Sequence, residues 1–212
     1  MRSELDRRSF LAGSFGAIIL ALSSPVRAEA EDSNAGHFPA LKGLGRKFSF
    51  AILADPQVGH GNDKNPVAAN ARKTLAEAVQ EIDALKPRPA FAIFLGDLVN
   101  VFDERSVATF EECIHGIEAQ PVLVHGNHDT HPPYMLFKQL MQRVCGFEDL
   151  FYSFDAGDWH FVALPCNVGG QGPEQQETAE AMLRWLESDL DANKKRPTVV
   201  FEHYVNVRRT TW

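Results

Sequence analysis

Four short runs in this 212-residue chain carry side chains suited to holding cations. They are Asp55-Pro56-Gln57, Gly96-Asp97, Gly126-Asn127-His128-Asp129 and Glu202-His203. Each follows an apolar stretch that reads as a buried strand, at 48–54, 91–95, 121–124 and 198–201. In an open α/β sheet, ligands gather outside the carboxyl ends of the strands. The four runs therefore bring Asp, Gln, Asp, Asn, His and His toward one crevice. These are oxygen and nitrogen donors with no thiolate among them, a set that suits Mn, Fe, Zn or Mg. Asp97, in the middle, is placed to bridge two cations, and the amide oxygen of Asn127 with the imidazole of His203 could serve the second. Two cations about 3.5–4 Å apart would hold a water between them and clamp the oxygens of a phosphoryl group.

Taken singly, each residue has an ordinary reading as well. Asp97 can cap a helix, Asn127 can hold a turn, His203 can be a buried core histidine, and a loop glutamine such as Gln57 has many uses. The ordered set of four is what points to a metal centre. His60, in Gly59-His60-Gly61 just after the first run, stands either as a substrate contact or as an exposed loop residue. The same holds for His131.

The elements that must position these residues alternate. A helix beginning at Asn65-Pro66 carries Val67, Ala71, Leu75, Ala78, Val79, Ile82 and Leu85 on one face. Further helices are predicted at 104–118, at about 134–145 and from Pro173 onward, the last with apolar positions Met182, Leu183, Leu186 and Leu190. The β-α-β-α-β beginning implies a mostly parallel sheet covered by helices. Strands at 151–154 and 159–164, joined by Ala156-Gly157-Asp158, form a hairpin that breaks the alternation and requires a mixed or second sheet. A Gly-rich loop spans 167–173.

Together the motifs resemble the metallophosphoesterase, or calcineurin-like phosphoesterase, superfamily, whose pattern runs D-x-H, G-D, G-N-H-[DE], H and then G-H-x-H. Order and spacing agree from residue 48 to residue 203. The resemblance implies an α/β fold, a sandwich of two sheets flanked by helices. It implies two divalent metal ions, with Asp55 and Gln57 on one, Asp97 shared, and Asn127 and His203 on the other. His128 would face the phosphate, with Asp129 or a neighbouring acid orienting its ring. The substrate would be a small phosphomonoester or phosphodiester. Gln57 departs from the pattern's histidine, which favours harder ions such as Mn or Mg. Asn100 stands where the purple acid phosphatase branch carries Tyr, so an iron–tyrosinate enzyme is not expected. The G-H-x-H segment does not occur before Trp212, so the sequence is expected to be part of a longer reading frame. That departure also leaves room for a non-catalytic, metal-poor binding protein of the same fold.

The first thirty residues read as an address. Arg2, Arg7 and Arg8 precede the apolar run 10–22, which is too short to span a bilayer at about 20 residues, and Ala28-Glu29-Ala30 is an A-x-A cleavage site. Asp6-Arg7-Arg8-Ser9-Phe10-Leu11 resembles a bacterial twin-arginine signal. The expected organisation is a signal at 1–30, a linker at 31–46 and the catalytic domain at 47–212. The expected partner in export is the twin-arginine translocase, the destination is the periplasm, and no stable membrane insertion follows cleavage. A net charge of −7 argues against a dedicated nucleic-acid binder. Three cysteines without C-x-x-C spacing indicate neither a disulfide framework nor a zinc ribbon.

Overall fold

The computed structural model describes the backbone of residues 18–23, and residues 37–60, 70–129, 134–166 and 172–204 in full. The helix start at Asn65-Pro66, His131, most of the Gly-rich loop and all but 18–23 of the signal stretch lie outside the described residues.

Continuous apolar runs such as Phe-Ala-Ile-Phe-Leu have no polar face and so need cover on both sides. They form the parallel centre of the first sheet: β2 (Lys47–Ala54), β3 (Phe91–Leu95) and β4 (Gln120–Val124). The backbone of β1 (Ile18–Ser23), inside the stretch read as an export signal, runs antiparallel along β2. The sheet order is β1-β2-β3-β4. A second sheet holds the hairpin β5 (Tyr152–Ala156) and β6 (Trp159–Leu164), with β7 (Thr198–Glu202) parallel to β6.

A layer of phenylalanines joins the two sheets. Phe50 stacks on Phe91 at 4.7 Å between ring centres, and Phe91 meets Phe161 edge-on at 5.2 Å. Phe161 in turn stacks on Phe154 and Phe201. On the other face of β3, Phe94 meets Phe110 of α3 (Glu104–Ile114), beside α2 (Ala71–Ala84). The alternation of strand side chains thus makes four layers, helix on sheet on sheet on helix. Within the stretch 31–46, read from sequence as a linker, the described part packs closely. Phe38 and Leu41, at either end of the short helix α1 (Pro39–Lys42), are both buried. No helix among the described residues is long and apolar enough to cross a membrane.

The fourth layer is pinned by charge. α4 (Met135–Cys145) packs near β4, and α5 (Pro173–Ala192) covers the second sheet. Leu183 and Leu190 of α5 are exposed, because the face turned to the sheet runs through Met182, Trp185, Leu186 and Asp189 instead. Asp189 is buried there. It accepts from Ser153 Oγ at 2.7 Å and sits 2.8 Å from His160 Nε2, while His160 Nδ1 is 2.9 Å from Asp155. Arg196 pairs with Asp155 on its other oxygen. Burial alone would depress the His160 imidazolium, but the two carboxylates outweigh it and raise its pKa from 6.5 to about 9. Stability from this cluster is therefore fully present below the ordinary histidine pKa and is lost as pH rises through about 9. His160→Ala is expected to cost about 3 kcal/mol near neutral pH, since it leaves the buried Asp189 carboxylate without its cation, bonded to Ser153 alone among the described residues, while Asp155 keeps Arg196. Urea unfolding of both proteins from pH 6 to 10 checks this: the gap should narrow at the alkaline end, and parallel curves would contradict the assignment.

Candidate metal centre

The loops after β2, β3, β4 and β7 meet at one end of the sandwich. Three residues there take left-handed backbone angles although none is glycine: Asp55 (φ 52°), Gln57 (φ 41°) and Asp97 (φ 50°). Such conformations cost on the order of 1–3 kcal/mol each and persist where the surroundings enforce them, most often at functional sites. The enforcement is visible. Gln57 N–H donates to the Asp97 carbonyl at 2.9 Å. A Cβ on Gly126 would overlap the Asp97 amide nitrogen, and one on Gly96 would overlap the His203 ring. Only glycine lets these loops close on one another.

Asp55, Asp97 and His203 each offer one ligand atom, and the three atoms lie within 4.8 Å of one another. Asp97 is 3% exposed and accepts from His128 N–H at 2.8 Å and from the Gln57 side-chain amide at 3.2 Å. His203 Nδ1 donates to the Leu95 carbonyl at 2.8 Å, which turns Nε2 into the crevice. There Nε2 faces the Asn127 side-chain oxygen at 3.1 Å and an Asp97 oxygen at 3.4 Å. As placed, both of its neighbours are acceptors, an arrangement that a cation among them would satisfy. Burial raises the pKa of Asp55; the His203 charge works against this and the Asp97 charge adds to it. Two adjacent carboxylates, an amide oxygen and an inward imidazole nitrogen fit a divalent cation. Gln57 could join the set only by presenting its amide oxygen in place of the amide nitrogen that faces Asp97.

Each residue named from sequence at this site is accounted for. Asp55, Gln57, Asp97, Asn127 and His203 come together. His128 stands beside them with its Nε2 3.9 Å from Asp97 Oδ2 and its side chain 39% exposed. The ring-orienting contact expected from Asp129 is made instead by the Asn100 carbonyl, which accepts from His128 Nδ1 at 2.9 Å. Asp129 is fully buried and accepts from the backbone N–H groups of Gly126 (2.9 Å) and Leu98 (3.0 Å). Burial pushes its pKa up to about 7 against those hydrogen bonds. Its work is to tie the β4 loop to the β3 loop. From sequence Asn100 stands equally as a contact to phosphate or to the residues behind the site and as a strand-end cap; here its carbonyl holds the catalytic candidate.

Residues 48–211 match the family profile described as calcineurin-like phosphoesterase. The chain is 27% identical over 186 residues to the serine/threonine-protein phosphatase CPPED1 of Danio rerio, covering 77% of this chain and 58% of that protein. It is 29% identical over 160 residues to a probable cyclic nucleotide phosphodiesterase of Rhodopseudomonas palustris, covering 74% and 57%. It is 24% identical over 153 residues to a probable glycerophosphodiester phosphodiesterase, GpdQ, of Arcobacter nitrofigilis, covering 70% and 55%. The chain thus spans a little over half the length of these curated relatives.

Proposed function

The chain belongs to the calcineurin-like phosphoesterase family, and from that premise we propose that its crevice hydrolyses a phosphate mono- or diester with the help of two divalent cations. The observation that carries this is the crowding of acceptors around His203 Nε2. Asp55 and Gln57 would hold one ion, Asp97 would be shared, and Asn127 and His203 would hold the other. When bound, such ions neutralise phosphoryl charge and supply a reactive water at neutral pH.

The chain's own residues do the rest. The enforced backbone at Asp55, Gln57 and Asp97 fixes the donors before any ligand arrives, so little reorganisation is needed on binding. His128, held through Nδ1 by Asn100, leaves Nε2 free to meet a bound phosphoryl group, where the imidazolium form, with an N–H on each nitrogen, would offset charge that grows in the transition state. Asp129 keeps the two loops that carry Asp97 and His128 in register.

The test is metal content together with hydrolysis. The purified chain, loaded with Mn²⁺, should retain close to two ions and hydrolyse p-nitrophenyl phosphate or bis-p-nitrophenyl phosphate only when loaded. A protein that keeps almost no metal and turns over neither ester is a binding protein of this fold, and the proposal fails.

Export by the twin-arginine route belongs to the same proposal and rests on Arg7-Arg8 and the A-x-A site. Replacing both arginines by lysine should leave the unprocessed chain in the cytoplasmic fraction. Unchanged periplasmic recovery would contradict it.

A further inference from the structure

A second imidazole lies at the far end of the paired loops that carry Gln57 and Asp97. The loops after β2 and β3 run side by side and are zipped together. Val58 N–H donates to the Leu98 carbonyl at 3.2 Å, and Asn100 N–H donates to the Val58 carbonyl at 3.0 Å. The Asn100 side-chain amide donates to the His60 carbonyl, also at 3.0 Å. This ribbon has Gln57 and Asp97 at one end, and His60 and Asp103 at the other. His128 is fastened to it midway, through Asn100.

His60 is built into place. Its Nε2 pairs with Asp103 Oδ2, and the other Asp103 oxygen accepts from Ser106 N–H at 2.8 Å, capping α3. Gly59, at φ 103°, lies so close to Ser106 that a Cβ would overlap its hydroxyl. The loop thus rests directly on the first turn of α3. The His60 side chain is 41% exposed, and its Nδ1 has no partner among the described residues. An imidazole with a carboxylate behind one nitrogen and solvent before the other is the arrangement of an acid–base dyad.

We propose that His60, oriented by Asp103, is a further catalytic acid that serves the leaving group. This rests on the phosphoesterase reading above. His128 Nε2 lies beside Asp97, over the cation ligands, where phosphoryl oxygens would sit. In an in-line displacement the leaving oxygen points away from the attacking one, and we place it on the side of the ribbon's His60 end. A water oxygen forms the new bond to phosphorus. The bond from phosphorus to the ester oxygen breaks, and its electron pair stays on that oxygen. The proton on His60 Nδ1 moves there and frees the alcohol. The proton shed by the attacking water restores His60 through solvent, so ester and water give phosphate and alcohol with nothing left over.

The experiment uses the full chain loaded with Mn²⁺ and two esters differing only in the leaving group. One is whichever nitrophenyl ester the wild type accepts, since nitrophenolate departs without a proton. The other is its alkyl counterpart, which needs one. His60→Ala should lower the ratio of alkyl to nitrophenyl kcat about a hundredfold, with Mn²⁺ content unchanged. His60→Gln, which keeps a hydrogen bond to Asp103 but carries no transferable proton, should lower the ratio similarly. Asp103→Asn, which can still cap α3, should lower it about tenfold. Equal losses on both esters, or lost metal, would make His60 merely structural and overturn the proposal. A wild-type chain that binds metal but cleaves neither ester would overturn the phosphoesterase reading instead, and this inference with it.

Discussion

Asp97→Asn is expected to strip the crevice of bound metal and lower turnover by at least a thousandfold, while the metal-free protein stays at least as stable as the wild type. Asparagine is the right probe because the backbone at Asp97 is left-handed (φ 50°). Asparagine tolerates that region, whereas alanine would add about 1–2 kcal/mol of strain unrelated to metal. The Asn side-chain oxygen can still accept the His128 N–H that Asp97 accepts at 2.8 Å. What disappears is one negative charge, 3% exposed, next to the Asp55 carboxylate. Without a cation, the buried Asp97 carboxylate and the neighbouring Asp55 carboxylate oppose one another, so removing one charge does not harm the empty fold. With Mn²⁺ present at about 100 times its dissociation constant, the wild type should gain about 2.7 kcal/mol that the variant does not. Thermal melts with and without Mn²⁺, read beside metal content, separate the two effects. A variant that keeps its metal, or loses stability without it, would remove Asp97 from the centre of the site.

Much of this site was legible from sequence because strand ends in an α/β sheet converge whatever the details between them. Asp55 follows an apolar run directly, Asp97 and His203 follow theirs after one residue, and the strand pattern puts all three at one end. What sequence could not show was long-range backbone pairing. Asp129 looked like a partner for the histidine beside it. Its carboxylate instead reaches 31 residues back to the Leu98 N–H, and no local spacing encodes that. The His160 cluster escaped for a similar reason. Its acids come from β5 and from the last turn of α5, and the one local hint was an aspartate, Asp189, on the apolar face of a helix. The exposed Leu183 and Leu190 tell the same story: three strands offer α5 a narrow bed, and the charged pin chose which side lies on it.

His128→Ala carries the second large effect, and its signature is the reverse of that at Asp97: metal content should stay at the wild-type value while kcat falls about a thousandfold. His128 lies outside the trio whose ligand atoms cluster within 4.8 Å. Its main-chain N–H to Asp97 survives the substitution. Its side chain is 39% exposed and, among the described residues, its ring is bonded to the Asn100 carbonyl and lies farther from Asp97. Loss of that ring therefore costs the fold little. What it removes is the imidazolium N–H that would meet the phosphoryl oxygens as they gain charge, and a donor of that kind contributes about a hundred- to a thousandfold. A thousandfold is about 4 kcal/mol of transition-state stabilisation. Because the interaction strengthens as charge develops, kcat should fall with KM nearly unchanged. The alkyl and nitrophenyl esters should lose rate together, since His128 serves the phosphoryl group and not the departing oxygen. Metal lost alongside activity would show His128 to be a ligand. A loss confined to alkyl esters would give it the task assigned to His60 and leave that second imidazole without one.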